Sequence, residues 1–324
     1  MQANSARPAL GSISDMDLRL LRVFKTVADC GGMAAAELVL NIGTSTVSRH
    51  IKDLETRLGL RLCRRGRAGF ALTPQGQQVY DETVRLLAGV DSFRSRIHEI
   101  HQRLGGELHL AVFDKTASNP QAQLGPALAR FAQAAPDVAL HLHVAPLDRI
   151  ERGVLDGQFQ IGVVPGHRRS AQLRYQRLFA ESMQLYCAAP HPLFDAPATS
   201  HPADWAALRG HRFAGLGYHS PNMELAQQQQ LSRAATGYDQ ESIATLILSG
   251  RFLGFLPDHY AHSFVAQQRM RPVRPDVFRY DCNFYSISRR SDKGSGLISL
   301  FEHSLRQAHS HPANAGLSAT DAGA

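Results

Sequence analysis

Between Thr56 and Tyr80 the chain carries Arg57, Arg61, Arg64, Arg65 and Arg67 and no acidic residue. A solvated surface ordinarily mixes charge signs, so a one-sign run of guanidinium groups is an electrostatic footprint for phosphate. Just upstream, Ser45, Ser48, Arg49 and Lys52 share one face of the segment Thr44–Leu58. Val47, Ile51, Leu54 and Leu58 follow at gaps of four, three and four and form an apolar stripe on the other face. Small hydroxyls and free amides at a helix start meet phosphates, while Arg takes two acceptors on guanine. The competing reading is an ordinary amphipathic helix with a solvated polar face, and the arginine run weighs against it. The candidate nucleic-acid contacts are Thr44, Ser45, Thr46, Ser48, Arg49, Lys52, Arg64, Arg65, Arg67 and Thr73.

These residues need elements to hold them. Met33–Leu38 reads as a small-residue helix, Asn41-Ile42-Gly43 as a tight turn, Thr44 to Leu58 as a second helix, and Arg61–Phe70 as a Gly-punctuated hairpin. That order is a winged helix-turn-helix, placed at residues 15–73 behind a loose arm at 1–14. Thr73-Pro74 is a helix start, with Thr as N-cap and Pro at the first position. From there Val79, Thr83, Leu86, Val90, Phe93, Ile97, Ile100 and Leu104 alternate in steps of four and three. Such a seam predicts a linker helix at 74–104 that pairs two copies as a coiled coil. The alternative is a long helix packed on its own domain.

After Gly105-Gly106 the pattern changes. Glu107–Phe113, Val138–Val144 and Phe159–Val164 read as strands, with helices at about Pro120–Ala134 and Asp148–Leu155. A second unit reads as strands at Gln184–Ala188, Arg212–Leu216 and around Gly254–Phe255, with helices at Met223–Ala234 and Gln240–Ser249. The chain then returns at Asp281–Ser288 and ends in a helix at Ser295–Ala308. Alternating strands and helices predict a two-lobed α/β domain at 105–308. Lobe one takes about 107–165 plus 273–308, lobe two about 170–268, and a polar tail follows at 309–324. The whole is α+β in class.

Ligands of parallel α/β sheets sit beyond the carboxyl ends of strands, near helix N-termini. In lobe one that place holds Lys115, Thr116, Ser118 and Asn119; in lobe two it holds His219, Ser220 and Asn222. Hydroxyls, amides and one cation there suit a small organic anion, although Ser, Thr and Asn at helix starts commonly serve as caps. Pro165–Arg169 is read as a surface loop.

Net charge is +7, and residues 1–104 hold 15 Lys and Arg against 10 Asp and Glu. The basicity therefore sits in the N-terminal third, which fits a nucleic-acid-binding head on a near-neutral body. Cys30, Cys63, Cys187 and Cys282 lie far apart with no CxxC spacing, which argues against zinc and a disulfide framework and fits a reducing cytoplasm. His141 and His143 share a strand face, but two ligands are too few and no acidic partner is evident, so neither metal nor cofactor is expected. No apolar run approaches the ~20 residues a membrane span needs. Gly217-Tyr218-His219-Ser220-Pro221 is not a G-x-S-x-G elbow, and no P-loop is present, so an enzyme is not expected.

The stretches LRLLRVFKTVADCGGMAAAELVLNIGTSTVSRHIKDLETRLGLRLCRRG and ALTPQG resemble the N-terminal domain of LysR-type transcriptional regulators. In pattern the resemblance extends over residues 15–308. It implies a periplasmic-binding-protein-like effector domain and a homo-oligomer, dimer or tetramer, on an interrupted palindromic operator in double-stranded DNA. It also implies a small-molecule effector between the lobes and contact with RNA polymerase. The oxidant-sensing branch of the family makes Cys187 and Cys282 a candidate redox pair, with buried structural thiols as the commoner alternative. Gly43-Thr44 replaces the family's frequent Ser-Gln, which implies a shifted operator preference. Cys63 replaces a frequent aromatic, and a packed wing position is expected there. A soluble small-molecule-binding protein or enzyme with an accessory helical domain is the competing reading of the two-lobed body.

Overall fold

The structure, a computed structural model, describes residues 12–66, 69–100, 104–166, 169–197, 200–292 and 295–310. They fall into two compact units: the described residues up to Arg94 with 156–158, and the remainder.

In the first unit, Ser14 caps α1 (Asp15–Asp29) in a capping box with Asp17. α2 (Met33–Leu40) stops at Asn41, which takes the left-handed conformation at φ 52°. α3 (Thr44–Leu58) begins after Gly43 and ends at Gly59, φ 66°. Its buried residues are Val47, Ile51, Leu54 and Leu58, the predicted stripe. They pack with Leu20, Phe24 and Val27 of α1 and Met33 and Ala36 of α2. Burying side chains of this size contributes about 1.5–3 kcal/mol each. β1 (Cys63–Gly66) and β2 (Gly69–Leu72) pair antiparallel from Cys63↔Leu72 to Gly66↔Gly69. Cys63 is buried in this core, as expected for a wing position.

α4 (Pro74–Ile100) corrects the uniform seam. Val79 and Leu86 pack on the unit's own core, and Thr83 is buried with its hydroxyl donating to the Val79 carbonyl at 2.6 Å. Val90 is half-buried, while Phe93 and Ile97 stand out at 65% and 39% exposure. Ile100 is the last described residue of the helix. Leu104 lies past its end and packs on the second unit's cluster around Phe131 and Phe301. Among the described side chains of the seam, only the Val90–Ile97 stretch is thus left for a partner helix.

The second unit runs β3 (Gly106–Val112), α5 (Leu124–Ala134), β4 (Val138–Val144), α6 (Leu147–Leu155), β5 (Ile161–Pro165), β6 (Leu173–Cys187), α7 (Trp205–Leu208), β7 (Phe213–Leu216), α8 (Pro221–Gln228), β8 (Arg233–Gly237), α9 (Gln240–Leu248), β9 (Leu253–Pro257), α10 (Asp258–Ala266), β10 (Arg271–Pro272), β11 (Arg279–Arg289) and α11 (Gly296–Ser310). Among the described residues the strand order is β4-β3-β5-β11-β6-β9-β7-β8, with β10 beside β6. β4-β3-β5 and β9-β7-β8 are the parallel cores of two lobes. The antiparallel pair β6 and β11 crosses between them.

Three predicted elements change substantially. α5 starts at Leu124 instead of Pro120, because Asn119 and Gln121 close a turn first. The helix expected at 223–234 ends at Gln228, and 233–237 form an edge strand instead. β6 begins at Leu173, well before Gln184, since it has both β11 and β9 to pair along its length. α10 has no counterpart in the sequence pattern.

Candidate nucleic-acid interface and interlobe site

On α3 the residues opposite the buried stripe are open. Ser45, Arg49 and Lys52 are exposed, and Thr46 and Ser48 lie beside them. Thr44 is exposed, but its hydroxyl donates to the Glu37 carboxylate, so it holds the α2–α3 turn before it can reach a base. Arg64 is exposed on β1. Arg65 lies on β1 with its side chain undescribed, and Arg67 lies outside the described residues.

Two arginine-run assignments change. Thr73 is buried; its hydroxyl donates to the Arg61 carbonyl at 2.6 Å and accepts from the Gly76 amide at 2.8 Å. It caps α4 and ties down the wing, which removes it from the phosphate-contacting set. Arg57 is exposed but is not a free cation: its Nη2 donates to the buried Asp17 Oδ2 at 2.9 Å. Arg57, then Ser14, hold the Asp17 carboxyl down at about 2. The pair joins α1 to α3.

In the second unit the first predicted loop, 114–119, meets α9 and α10 of lobe two. The Lys115 ammonium pairs with Glu241 of α9 and lies 4.5 Å over the Tyr260 ring of α10. Glu241 also accepts from the Tyr260 hydroxyl at 2.7 Å, and these two partners lower its pKa, Lys115 most. Asp114 Oδ2 accepts the Gln240 amide at 2.8 Å, so a side chain of lobe one fills the N-terminus of a lobe-two helix. Burial pushes the Asp114 carboxyl up to about 6.

A second bridge starts at Ser118, whose Oγ lies 3.0 Å from His259 Nδ1. His259 Nε2 lies 3.1 Å from Glu181 Oε1 on the crossing strand β6, and Asn119 Nδ2 donates to the same oxygen at 3.2 Å. Ser118, Asn119, Glu181 and His259 therefore bind lobe one, the crossing strand and lobe two together.

The other predicted ligands have internal duties. The buried Thr116 hydroxyl donates to the Phe113 carbonyl. Ser220 caps α8 by accepting from the Met223 amide. Asn222 is buried and accepts from the Leu216 amide at 3.2 Å while its side chain bonds Tyr280. His219 is exposed, 3.5 Å from Glu224. Thr116, Ser220 and Asn222 are accordingly corrected from ligand contacts to scaffold.

Three buried polar atoms of this region are left unmet. Asp114 Oδ1, Gln240 Oε1 and the Tyr218 hydroxyl are buried without a hydrogen-bond partner among the described residues. Leaving such groups unmet costs about 1–3 kcal/mol each. Asp114, Glu181, Gln240, Glu241, His259 and Tyr260 belong to this region beside the predicted Lys115, Ser118 and Asn119. The rule that finds 114–119 also reaches 239–241 and 258–260, since each begins a helix after a strand; it needs β8 and α10, which the sequence pattern does not mark.

The cysteines do not form the redox pair. Cys187 faces Arg271 on β10, whereas Cys282 faces Glu181 farther back along β6. None of the four cysteines is in a disulfide. Burial pushes Cys187 up to about 12 and Cys282 higher still, so both stay protonated and unreactive. No helix among the described residues is long and apolar enough to cross a membrane.

Comparison with known proteins places both parts of the chain in described families. Residues 18–77 match the family described as bacterial regulatory helix-turn-helix protein, lysR family, and residues 101–310 match LysR substrate binding domain. The chain is 39% identical over 299 residues to the HTH-type transcriptional activator BauR of Pseudomonas aeruginosa, covering 92% of this chain and 97% of that one. It is 28% identical to the probable HTH-type transcriptional regulator LrrA of Synechococcus elongatus, over 75% of this chain and 81% of that one. Among solved structures, CbnR, a LysR family transcriptional regulator, aligns at TM-score 0.61 and 20% identity, over 90% of this chain and 99% of that one. Full-length CbnR complexed with its target DNA aligns at TM-score 0.59 and 21% identity, with the same coverage of each chain.

Proposed function

Because this chain belongs to the LysR family of transcriptional regulators, we propose that it reads an interrupted palindromic operator as a homo-oligomer under control of a small organic acid. It is a DNA-binding regulator and not an enzyme. In this reading Ser45, Ser48 and Arg49 of α3 enter the major groove, Thr44 does so on releasing Glu37, and Lys52, Arg64, Arg65 and Arg67 neutralise phosphates. Phe93 and Ile97 supply the partner-facing part of the linker helix. The protein works in the cytoplasm and contacts RNA polymerase; similarity to an activator supports activation.

The observation that carries this is the exposed Ser45–Arg49–Lys52 face directly opposite a fully buried stripe. Binding to the intergenic DNA upstream of the protein's own gene, followed across a salt series with competitor DNA, tests it. Tight, sequence-selective, salt-steep binding is expected. Arg49→Ala should cost about 2 kcal/mol and relax discrimination at one base pair. Unchanged operator affinity in that variant, or binding indifferent to salt, would overturn the assignment.

For the effector, the support is Lys115. Among the described residues its ion pair is with Glu241 alone, a half-open contact that a ligand carboxylate can replace at little net cost. Asp114 lies close by as well, within electrostatic reach of Lys115, Asp239 and Glu181. One ammonium among several carboxylates suits a monocarboxylate and disfavours a polyanion. A panel of small carboxylic acids screened by thermal shift should yield a stabilising ligand whose effect disappears in Lys115→Met. A carboxylate that stabilises both proteins equally would place the site elsewhere.

A further inference from the structure

The expectation that His141 lacks an acidic partner fails on the outer sheet edge. Parallel pairing sets Glu107 opposite Ala139 and His109 opposite His141. Alternation then puts Glu107, His109 and His141 on one face. The two imidazole rings stack at 4.3 Å and 9°. Glu107 Oε2 lies 3.1 Å from His109 Nε2 and 3.6 Å from His141 Nε2.

All three donor atoms lie within 4.8 Å of one another. Donors bound to one ion at about 2.0–2.2 Å stand roughly 3.0–3.6 Å apart, which is the spacing around Glu107. Two neutral imidazoles and a carboxylate are the borderline set that selects zinc, cobalt, nickel or copper over magnesium or calcium. The ligands sit on paired strands, so little order has to be gained on binding, and the face is open: His141 and Glu107 are 43% and 59% exposed.

We propose that Glu107, His109 and His141 bind one divalent transition-metal ion of the zinc class on the outer face of β3 and β4. Three protein ligands leave the remaining positions to water. The ion would cross-link the sheet's edge strand β4 to β3. This inference is independent of the operator and effector readings.

Cobalt(II) titration of the full-length protein is the direct test. One equivalent per chain should give visible d–d absorption that zinc(II) displaces and magnesium(II) does not. His141→Ala and Glu107→Gln, both at exposed positions, should each weaken cobalt binding at least about tenfold. His262→Ala, an exposed histidine elsewhere, should leave it unchanged. No saturable cobalt binding at metal equal to protein, or equal affinity in all three variants, would overturn the proposal.

Discussion

Gly76→Ala is expected to abolish operator binding while leaving the second unit folded. A Cβ at residue 76 would stand 2.0 Å from the Leu62 carbonyl oxygen and 2.8 Å from its carbon. This is backbone against backbone, so no side-chain rotation relieves it. Leu62 cannot retreat easily: its amide donates to Glu55 of α3 at 2.7 Å, and its carbonyl accepts the Thr73 amide at 2.9 Å. Gly76 itself donates to Thr73 Oγ1.

The first turn of α4, the base of the wing and α3 thus meet in one knot, and a single methyl group forces it apart. The cost should be about 3 kcal/mol or more, at the upper end for overpacking. Urea unfolding of the full-length variant should show a new early transition and an unshifted late one, with specific DNA binding lost. Gly89→Ala on the same helix is the control. Nothing lies within 4 Å of its Cβ, so it should gain stability by up to about 1 kcal/mol from helix propensity. Native operator affinity in Gly76→Ala would show that wing and recognition helix do not need this register.

The first unit was legible because its signals are local. The α3 stripe repeats at helical period, and Asn41-Ile42-Gly43 carries turn chemistry, so both ends of α3 could be placed from neighbours alone. What escaped was long-range. Arg57 sits in a run of like charge, and only folding brings it to Asp17, 40 residues away. Val79 and Leu86 obey the same heptad rule as Phe93 and Ile97, but a period cannot say which surface a seam faces.

In the second unit, β8 reads Arg-Ala-Ala-Thr-Gly, small residues with no alternation, and follows a helix-prone run. Its strand character comes from pairing with β7. The start of α9 at Gln240 was placed without it, but missing α10 hid His259. Glu181 and His259 are 78 residues apart in sequence. No composition or spacing argument joins them; the crossing strand does.

Asp114→Asn is expected to stabilise the second unit at neutral pH by up to about 3 kcal/mol. An ordinary aspartate titrates at 3.8, whereas burial raises Asp114 to about 6. Each tenfold gain in a group's affinity for its proton is worth about 1.36 kcal/mol. Well below pH 3.8 the group is protonated folded or unfolded and contributes no penalty. Between about 4 and 6 the unfolded chain loses this proton first, so the folded state binds more protons and stability falls as pH rises. Above 6 both states are ionised and the penalty is complete.

Asparagine keeps an oxygen for the Gln240 amide and carries no charge at any of these values. The gain of the variant over the natural protein should therefore be small at pH 4, a fraction of its full value, and grow to its plateau by pH 7, read from paired urea titrations. A gain independent of pH would mean that burial of Asp114 is relieved by opening and not by protonation. The location gives the effect its meaning. Asp114 bonds across the lobes, with Oδ1 left unmet beside Gln240 Oε1 and the Tyr218 hydroxyl. An ionised Asp114 weakens closure at this contact, and a ligand that donates to it would restore what is lost. Removing the charge should then mimic part of the ligand's effect, moving operator affinity without effector in the direction that effector moves it in the natural protein.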